Sequence, residues 1–576
     1  MEATPAAVSF TKSLFHGNIV EELIFPFPLP RPSDHEAVRL ILESLNKLAA
    51  EHIDAAAIDA EAKIPAAVLD ATKQMGLFGM IIPEGYGGIG LSATAYTRVM
   101  QELSGLESSL PVTIGAHQSI GLKGLLLAGN EEQKRRYLPR LVSGEMIAAF
   151  ALTEPSAGSD AQSIKMRAVR QEDGSWVLNG TKIWITNGGL ADFFTVFAQT
   201  DVELDGERKD RITAFIVERA HGVRSGPEEH KLGIRGSSTT ALYFEDVRVP
   251  PENVLGEPGK GFKVAMQILN SGRLGLAAGS LGAAKTLIRL AVEHARGRRA
   301  FGRPISEFGL IQHKIARMIT ESYALESMVY LTTGMIDAGA KDYAVESAIC
   351  KVFGAEALWR IVNEALQIAA GAGYMKEYPY EPLLRDARIN LIFEGTNEIL
   401  RLFIALSGME GPGAYLAEVA GAIRAPLKQY GLIADYVVNK IRQSVYGDAI
   451  THAHPLLKRE AVLVEDFVVE GAKAVEKVLR RHGKAIVERQ FACARIADLM
   501  IDLYSMAAVI SRTSAAIENR GEAGAKRDVL CARVYCEWAW SRMKGILRAM
   551  DTNTDEMEKE IAKLTVDDGG YGTGLW

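Results

Sequence analysis

Apolar residues recur every three or four positions from residue 34 to about 145. Val38, Leu40, Ile41, Leu45 and Leu48 follow that spacing, and Ser33 with Glu36 reads as a capping-box pair ahead of them. The pattern predicts helix, with further helical stretches over about 116–129 and 131–143. Between 147 and 250 it gives way to short runs of β-branched and aromatic residues, such as Lys182–Thr186, Phe193–Ala198, Ile212–Val217 and Leu242–Phe244. Asn179-Gly180 and Asn187-Gly188 read as turns. Helical spacing resumes at 258 and runs through Leu406; Gly408-Met-Glu-Gly-Pro-Gly413 reads as a linker, and 415–447 and 456–560 as helices. The chain is therefore α+β. An N-terminal helical domain (34–146) precedes a middle β-barrel-like domain (147–257) and a helical-bundle domain with the candidate base (258–407). A linker (408–414) leads to an extra C-terminal helical domain (415–565).

Composition narrows the class. At 576 residues the chain is too long for one core. With 48% hydrophobic and 24% charged residues it reads as soluble and globular, and a net charge of −6 gives no footprint for nucleic acid. Four scattered cysteines make neither a disulfide framework nor a metal cluster, and no metal site is expected. The first twenty residues hold one lysine, no arginine and no long apolar run, unlike a signal or transit peptide. The expected location is a bacterial cytoplasm, peripheral on the inner membrane, or a mitochondrial matrix if a presequence was removed. The membrane term comes from an apolar stripe between Leu416 and Val445 flanked by Arg424, Lys428, Lys440 and Arg442, so 415–447 is expected to touch lipid. Packing on the other C-terminal helices is the alternative.

Three segments carry candidate chemistry. Glu394 follows the apolar Leu391-Ile-Phe393 and precedes Gly395; a carboxylate among apolar groups loses hydration, which raises its pKa toward that of a useful general base. Thr396 and Asn397 can bond a cofactor or cap the next helix. Phe150-Ala-Leu-Thr-Glu-Pro-Ser-Ala-Gly-Ser-Asp160 gathers small and hydroxyl residues that suit a phosphate or a polar heterocycle. Trp184-Ile-Thr186 offers an indole and a hydroxyl for a flat ring. Gly85-Tyr-Gly-Gly-Ile-Gly90 matches a dinucleotide turn only formally; Pro83-Glu84 precedes it and helices surround it, so a loop is expected.

Taken in order, these segments resemble the acyl-CoA dehydrogenase family over about residues 35–410. Ala151–Asp160 and Gln367–Asp386 look like its two signatures, and Ile392–Glu398 like its catalytic segment. The C-terminal extension, Gly115-Ala-His-Gln-Ser-Ile-Gly121 and Ile268-Leu-Asn-Ser-Gly-Arg273 resemble the very-long-chain branch, which includes a relative with a role in respiratory-complex assembly. The resemblance implies FAD-dependent α,β-dehydrogenation of long- or very-long-chain fatty acyl-CoA to the trans-2-enoyl-CoA, the first step of β-oxidation. Electrons would pass to an electron-transferring flavoprotein. It implies Glu394 as base, with the carbonyl oxygen's charge held by the base residue's N–H and a ribityl hydroxyl.

The same resemblance implies FAD contacts at Phe150, Leu152, Thr153, Ser159, Trp184, Ile185 and Thr186. It implies others at Arg298, Phe301, Gln312, Gln367, Gly371, Thr396 and Glu398, some reaching a neighbouring subunit of a homodimer. Ser159, Asn270, Arg273 and Gly395 would meet the substrate. Ala370 stands where the signature has Gly, and Pro382 where it has Lys or Arg. An acyl-CoA oxidase delivering electrons to oxygen, and a non-enzymatic assembly scaffold, are the competing expectations.

Overall fold

The computed structural model describes residues 9–204, 207–424 and 448–574. They form two compact units, one spanning Pro28–Leu400 and the other joining Val8–Phe27 to Arg401–Trp576.

The first unit opens with α1 (Pro32–His52), which buries Ile41, Leu45 and Leu48. Its N-cap is Arg31, and no side chain caps it. Proline at the first helical position has φ preset for the helix, so Ser33 falls inside the first turn and the expected capping box does not form. Glu36 pairs with Arg39 at 2.6 Å instead. Ser92 caps α2 (Ala93–Leu106), accepting from the Ala95 N–H at 3.1 Å. The helix expected over 116–129 is broken: Ser109–Gly115 runs into a π turn at Ala116–Gly121 before Lys123–Ala128. His117 sits in that turn, one ring nitrogen 3.2 Å from the Phe78 carbonyl and the other accepting the Ala148 N–H at 2.9 Å. The 85–90 glycines lie in a loop that opens with a single 3-10 turn, Glu84–Tyr86.

The β region is one eight-stranded sheet: β1 (Ala148–Ala151), β2 (Arg167–Arg170), β3 (Trp176–Thr186), β4 (Phe193–Leu204), β5 (Glu207–Glu218), β6 (Arg224–Glu228), β7 (Thr239–Val249) and β8 (Val254–Leu255). The order is β6-β7-β3-β2-β4-β5-β8, with β1 parallel to β4. All four expected apolar runs lie inside these strands. Asn179-Gly180 does not turn the chain. It is a bulge within β3, where the register against β7 shifts and the Asn179 amide exchanges bonds of 3.0 and 2.9 Å with Asp246. Asn187 does leave the strand, in the left-handed region at φ 63°.

A helical bundle follows: α3 (Gly261–Gly297), α4 (Gly309–Asp337), α5 (Ala344–Ala369) and α6 (Tyr380–Arg388). Along α3, Ala277, Ala278, Leu281, Ala284, Leu287 and Ala291 are completely buried, as suits the central helix of a bundle.

The second unit contains a short helix Phe10–Phe15, most of α7 (Asn397–Arg424), and α8 (Lys458–His482), α9 (Gln490–Gly524), α10 (Lys526–Ala549) and α11 (Asp555–Asp567). The expected linker at 408–414 is helical, inside α7. Two of its glycines have a packing reason: a Cβ on Gly408 would stand 2.2 Å from the Phe15 ring, and one on Gly411 2.6 Å from the His16 ring. Of the expected membrane segment 415–447, residues 425–447 lie outside the described residues.

Candidate active site

In the first unit, α2, the segment 109–121, α3, α6 and the loop 389–394 enclose a cleft of about 960 Å³, solvent-open mouth included. Tyr96, Thr186, Gly272, Gly275, Phe393 and Glu394 are among its walls. The loop carrying Glu394 begins as a 3-10 turn, Ile389–Leu391, after α6 ends. It then turns through two successive residues of positive φ, Glu394 at 60° and Gly395 at 90°. Glycine takes that conformation freely, whereas glutamate there costs on the order of 1–2 kcal/mol. Strain of this kind, at a residue facing a cleft, marks a position the surroundings hold deliberately.

The Glu394 carboxylate rests on α3 at Gly272, where an added Cβ would come within 2.7 Å of Oε2. Oε2 is buried and has no hydrogen-bond partner. Burial pushes the carboxyl up to about 7, while the positive charges of Arg273 and Lys351 pull it down. Both cations are themselves buried, and both make bonds to the backbone and amides around the base. Arg273 Nε donates to the Glu394 carbonyl at 3.4 Å and its NH1 to Asn270 Oδ1 at 3.1 Å. Lys351 donates to the Gly395 carbonyl and to Asn397 Oδ1, each at 2.8 Å. The carboxylate is left as an available base with positive charge nearby.

Of the other two candidate segments only β3 touches the cleft, through Thr186, and the loop before β2 is tied to the same strand. Trp184 sits at a second register shift of β3 with φ 56° and is 64% exposed, so its indole faces outward; Ile185 between them is buried. The Phe150–Ser159 loop is pinned to β3: the Ile183 N–H donates to the Thr153 carbonyl at 3.0 Å. Lys182, completely buried, donates to the Leu152 carbonyl at 2.9 Å and to Glu154 at 2.7 Å. Phe150 packs on Phe197, and Ser159 is exposed.

Arg298, Phe301, Gln312, Gln367 and Gly371 are exposed, and none of them lines the cleft. Phe301 is 94% exposed, on a two-stranded hairpin after α3. Thr396 accepts the Ile399 N–H at 3.3 Å as a cap of α7, and Glu398 is exposed. Pro382 lies in the first turn of α6, where proline is tolerated. The sequence reading missed Gly272, Lys182 and Lys351. A lysine inside the apolar run Ile349-Cys-Lys-Val-Phe353 was the visible signal for the last.

Family models match in the order of the chain: acyl-CoA dehydrogenase N-terminal domain at 35–145, middle domain at 149–247 and C-terminal domain at 259–409. The very long-chain specific acyl-CoA dehydrogenase of Homo sapiens mitochondria is 42% identical, over 98% of this chain and 88% of that protein. An acyl-CoA dehydrogenase from Bacillus anthracis, solved with FAD, superposes with a TM-score of 0.78 at 33% identity, over 96% of this chain and 94% of that one. Butyryl-CoA dehydrogenase from Megasphaera elsdenii superposes at 0.62 and 36% identity, covering 66% of this chain and 98% of that one. The chain belongs to the acyl-CoA dehydrogenase family and has its fold. Within that family it carries, at 455–571, the domain described as the C-terminal domain of ACAD9/ACADV.

Proposed function

We propose that this protein is an FAD-dependent dehydrogenase that converts long- or very-long-chain fatty acyl-CoA to trans-2-enoyl-CoA and passes the electrons to an electron-transferring flavoprotein. The observation that carries this reading is the buried, unpartnered Oε2 of Glu394 on the wall of the cleft. A carboxyl held near 7 is matched to removing an α-proton at neutral pH. Three features suit a flavin: a hydroxyl residue, Thr186, on the cleft wall, the exposed indole of Trp184, and the small and hydroxyl residues of the loop 150–159, which Lys182 holds to β3. When bound, FAD supplies the acceptor for the β-hydride. Glu394 takes the α-proton, and its own N–H steadies the charge that develops on the thioester oxygen. Asn270, Arg273, Gly395 and Ser159 are assigned to the substrate.

Arg298, Phe301, Gln312, Gln367 and Gly371, all exposed here, are assigned to FAD across a homodimer. Such a role explains an exposed phenylalanine at a hairpin tip. Replacing Glu394 by Gln is expected to keep bound FAD and to slow flavin bleaching by acyl-CoA by several orders of magnitude. Bleaching at the wild-type rate would move the base elsewhere. Peroxide release in air during turnover would favour the oxidase.

Membrane contact through 415–447, on the cytoplasmic side of a bacterial inner membrane, belongs to the same proposal. The full chain is expected to co-sediment with anionic vesicles and to lose binding when 415–447 is deleted; unchanged binding rejects the contact.

A further inference from the structure

Lys351 lies on α5 with its side chain completely enclosed, and both acceptors of its ammonium are neutral. Enclosing an ammonium without a bonded carboxylate is costly, and a buried methionine would fill similar space without that penalty. What the lysine holds is therefore informative. One bond fixes the carbonyl of Gly395, the second residue of the left-handed turn; the other fixes Asn397, whose amide also reaches the Val352 carbonyl at 3.5 Å and Glu356 at 3.2 Å on α5. From α3, Arg273 holds the other carbonyl of the turn, that of Glu394. Both peptide planes of a strained turn are thus gripped by buried cations, and Oε2 of the carboxylate stays unbonded.

We propose that Lys351 is a positioning residue for the reaction: it clamps the Glu394–Gly395 turn so that the carboxylate faces the cleft, and holds a positive charge behind the base without occupying it. This rests on the reading of Glu394 as base. The charged groups facing Glu394 are Arg273 from α3 and Lys351 from α5. Those facing Lys351 are Glu394, Arg273, Glu398 and Glu356. With Lys351 gone, only Arg273 opposes the effect of burial on the base.

The test compares Lys351→Met, Lys351→Arg and Glu394→Gln as flavin-loaded full-length protein, using palmitoyl-CoA. Lys351→Met is expected to retain flavin, to bleach at least about tenfold more slowly, and to need a pH about one unit higher for half-maximal rate. Lys351→Arg keeps the charge and should return the pH midpoint toward wild type. A second readout avoids turnover: a double-mutant cycle on thermal unfolding of flavin-free protein at about pH 7.5, between the Glu394 carboxyl near 7 and the Lys351 ammonium, which burial lowers to about 8. There Lys351→Met should lower Tm more when introduced into the wild-type chain than when introduced into the Glu394→Gln variant. If Lys351→Met does not fold, Lys351→Gln is read in the same two ways. An unchanged pH midpoint together with additive Tm shifts overturns the clamp. A Glu394→Gln protein that still bleaches overturns the underlying reading instead, so the two failures are distinct.

Discussion

Burial lifts the Glu394 carboxyl from its ordinary 4.5 to about 7, so this side chain changes charge across neutral pH. In the unfolded chain the proton leaves first. Stability from this group is therefore greatest below about 4.5 and is lost as pH rises through 7. The gap of about 2.5 corresponds to roughly 3 kcal/mol at about 1.36 kcal/mol per unit. Glu394→Gln should thus stabilise the flavin-free protein at pH 8 by on the order of 3 kcal/mol and leave it nearly unchanged at pH 4, as read by urea denaturation at both values. Equal effects at the two pH values would mean that the carboxylate is not held charged inside the protein. At this scale the site was partly legible. An acid beside three apolar residues and a glycine announced its own environment, whereas Gly272 lies 122 positions away in the chain, and its fit to that acid exists only after folding.

Among elements, the end of α5 bears the clearest strain. Ala370 caps it at φ 53° and ψ −128°, a conformation suited to glycine, at the signature position where the family resemblance implies Gly. Ala370→Gly is expected to raise stability by about 1 kcal/mol, seen as a higher Tm; a lower Tm would show that the methyl makes compensating contacts. Strands and helices with a strong apolar period were legible because burial of one face decides them. Local punctuation was less so. Asn179-Gly180 failed as a turn because its amide finds Asp246, 67 residues further on, and keeps β3 paired. The glycines at 408–413 misled in the same way: Gly408 answers to a neighbouring aromatic ring, not to flexibility. The Lys182–Glu154 strut, ending in a completely buried lysine, was likewise invisible without the sheet that brings β3 to the loop.

At the scale of the molecule, the discontinuous second unit is the part that composition did not reveal. Phe10, Leu14, Phe15 and Ile24 are at most 1% exposed within it, and Phe10 packs against Tyr504. The Ile19 N–H donates to Asp448 at 3.0 Å, Thr451 bonds Glu21, and Ser511 bonds the Ile24 carbonyl. Burying four such side chains contributes roughly 6–12 kcal/mol as an upper bound, as much as a whole domain's net stability. A fragment of residues 401–576 should therefore lack a cooperative melt by circular dichroism and regain one when residues 8–27 are fused to it. A cooperative melt without them would make the amino-terminal segment an ornament. On the ribosome the arrangement imposes a delay: the helix Phe10–Phe15 has no seat until α8 and α9 follow, on the order of a minute later at ordinary elongation rates. Premature termination would strand its greasy side chains in the open, a ready handle for chaperones and proteases.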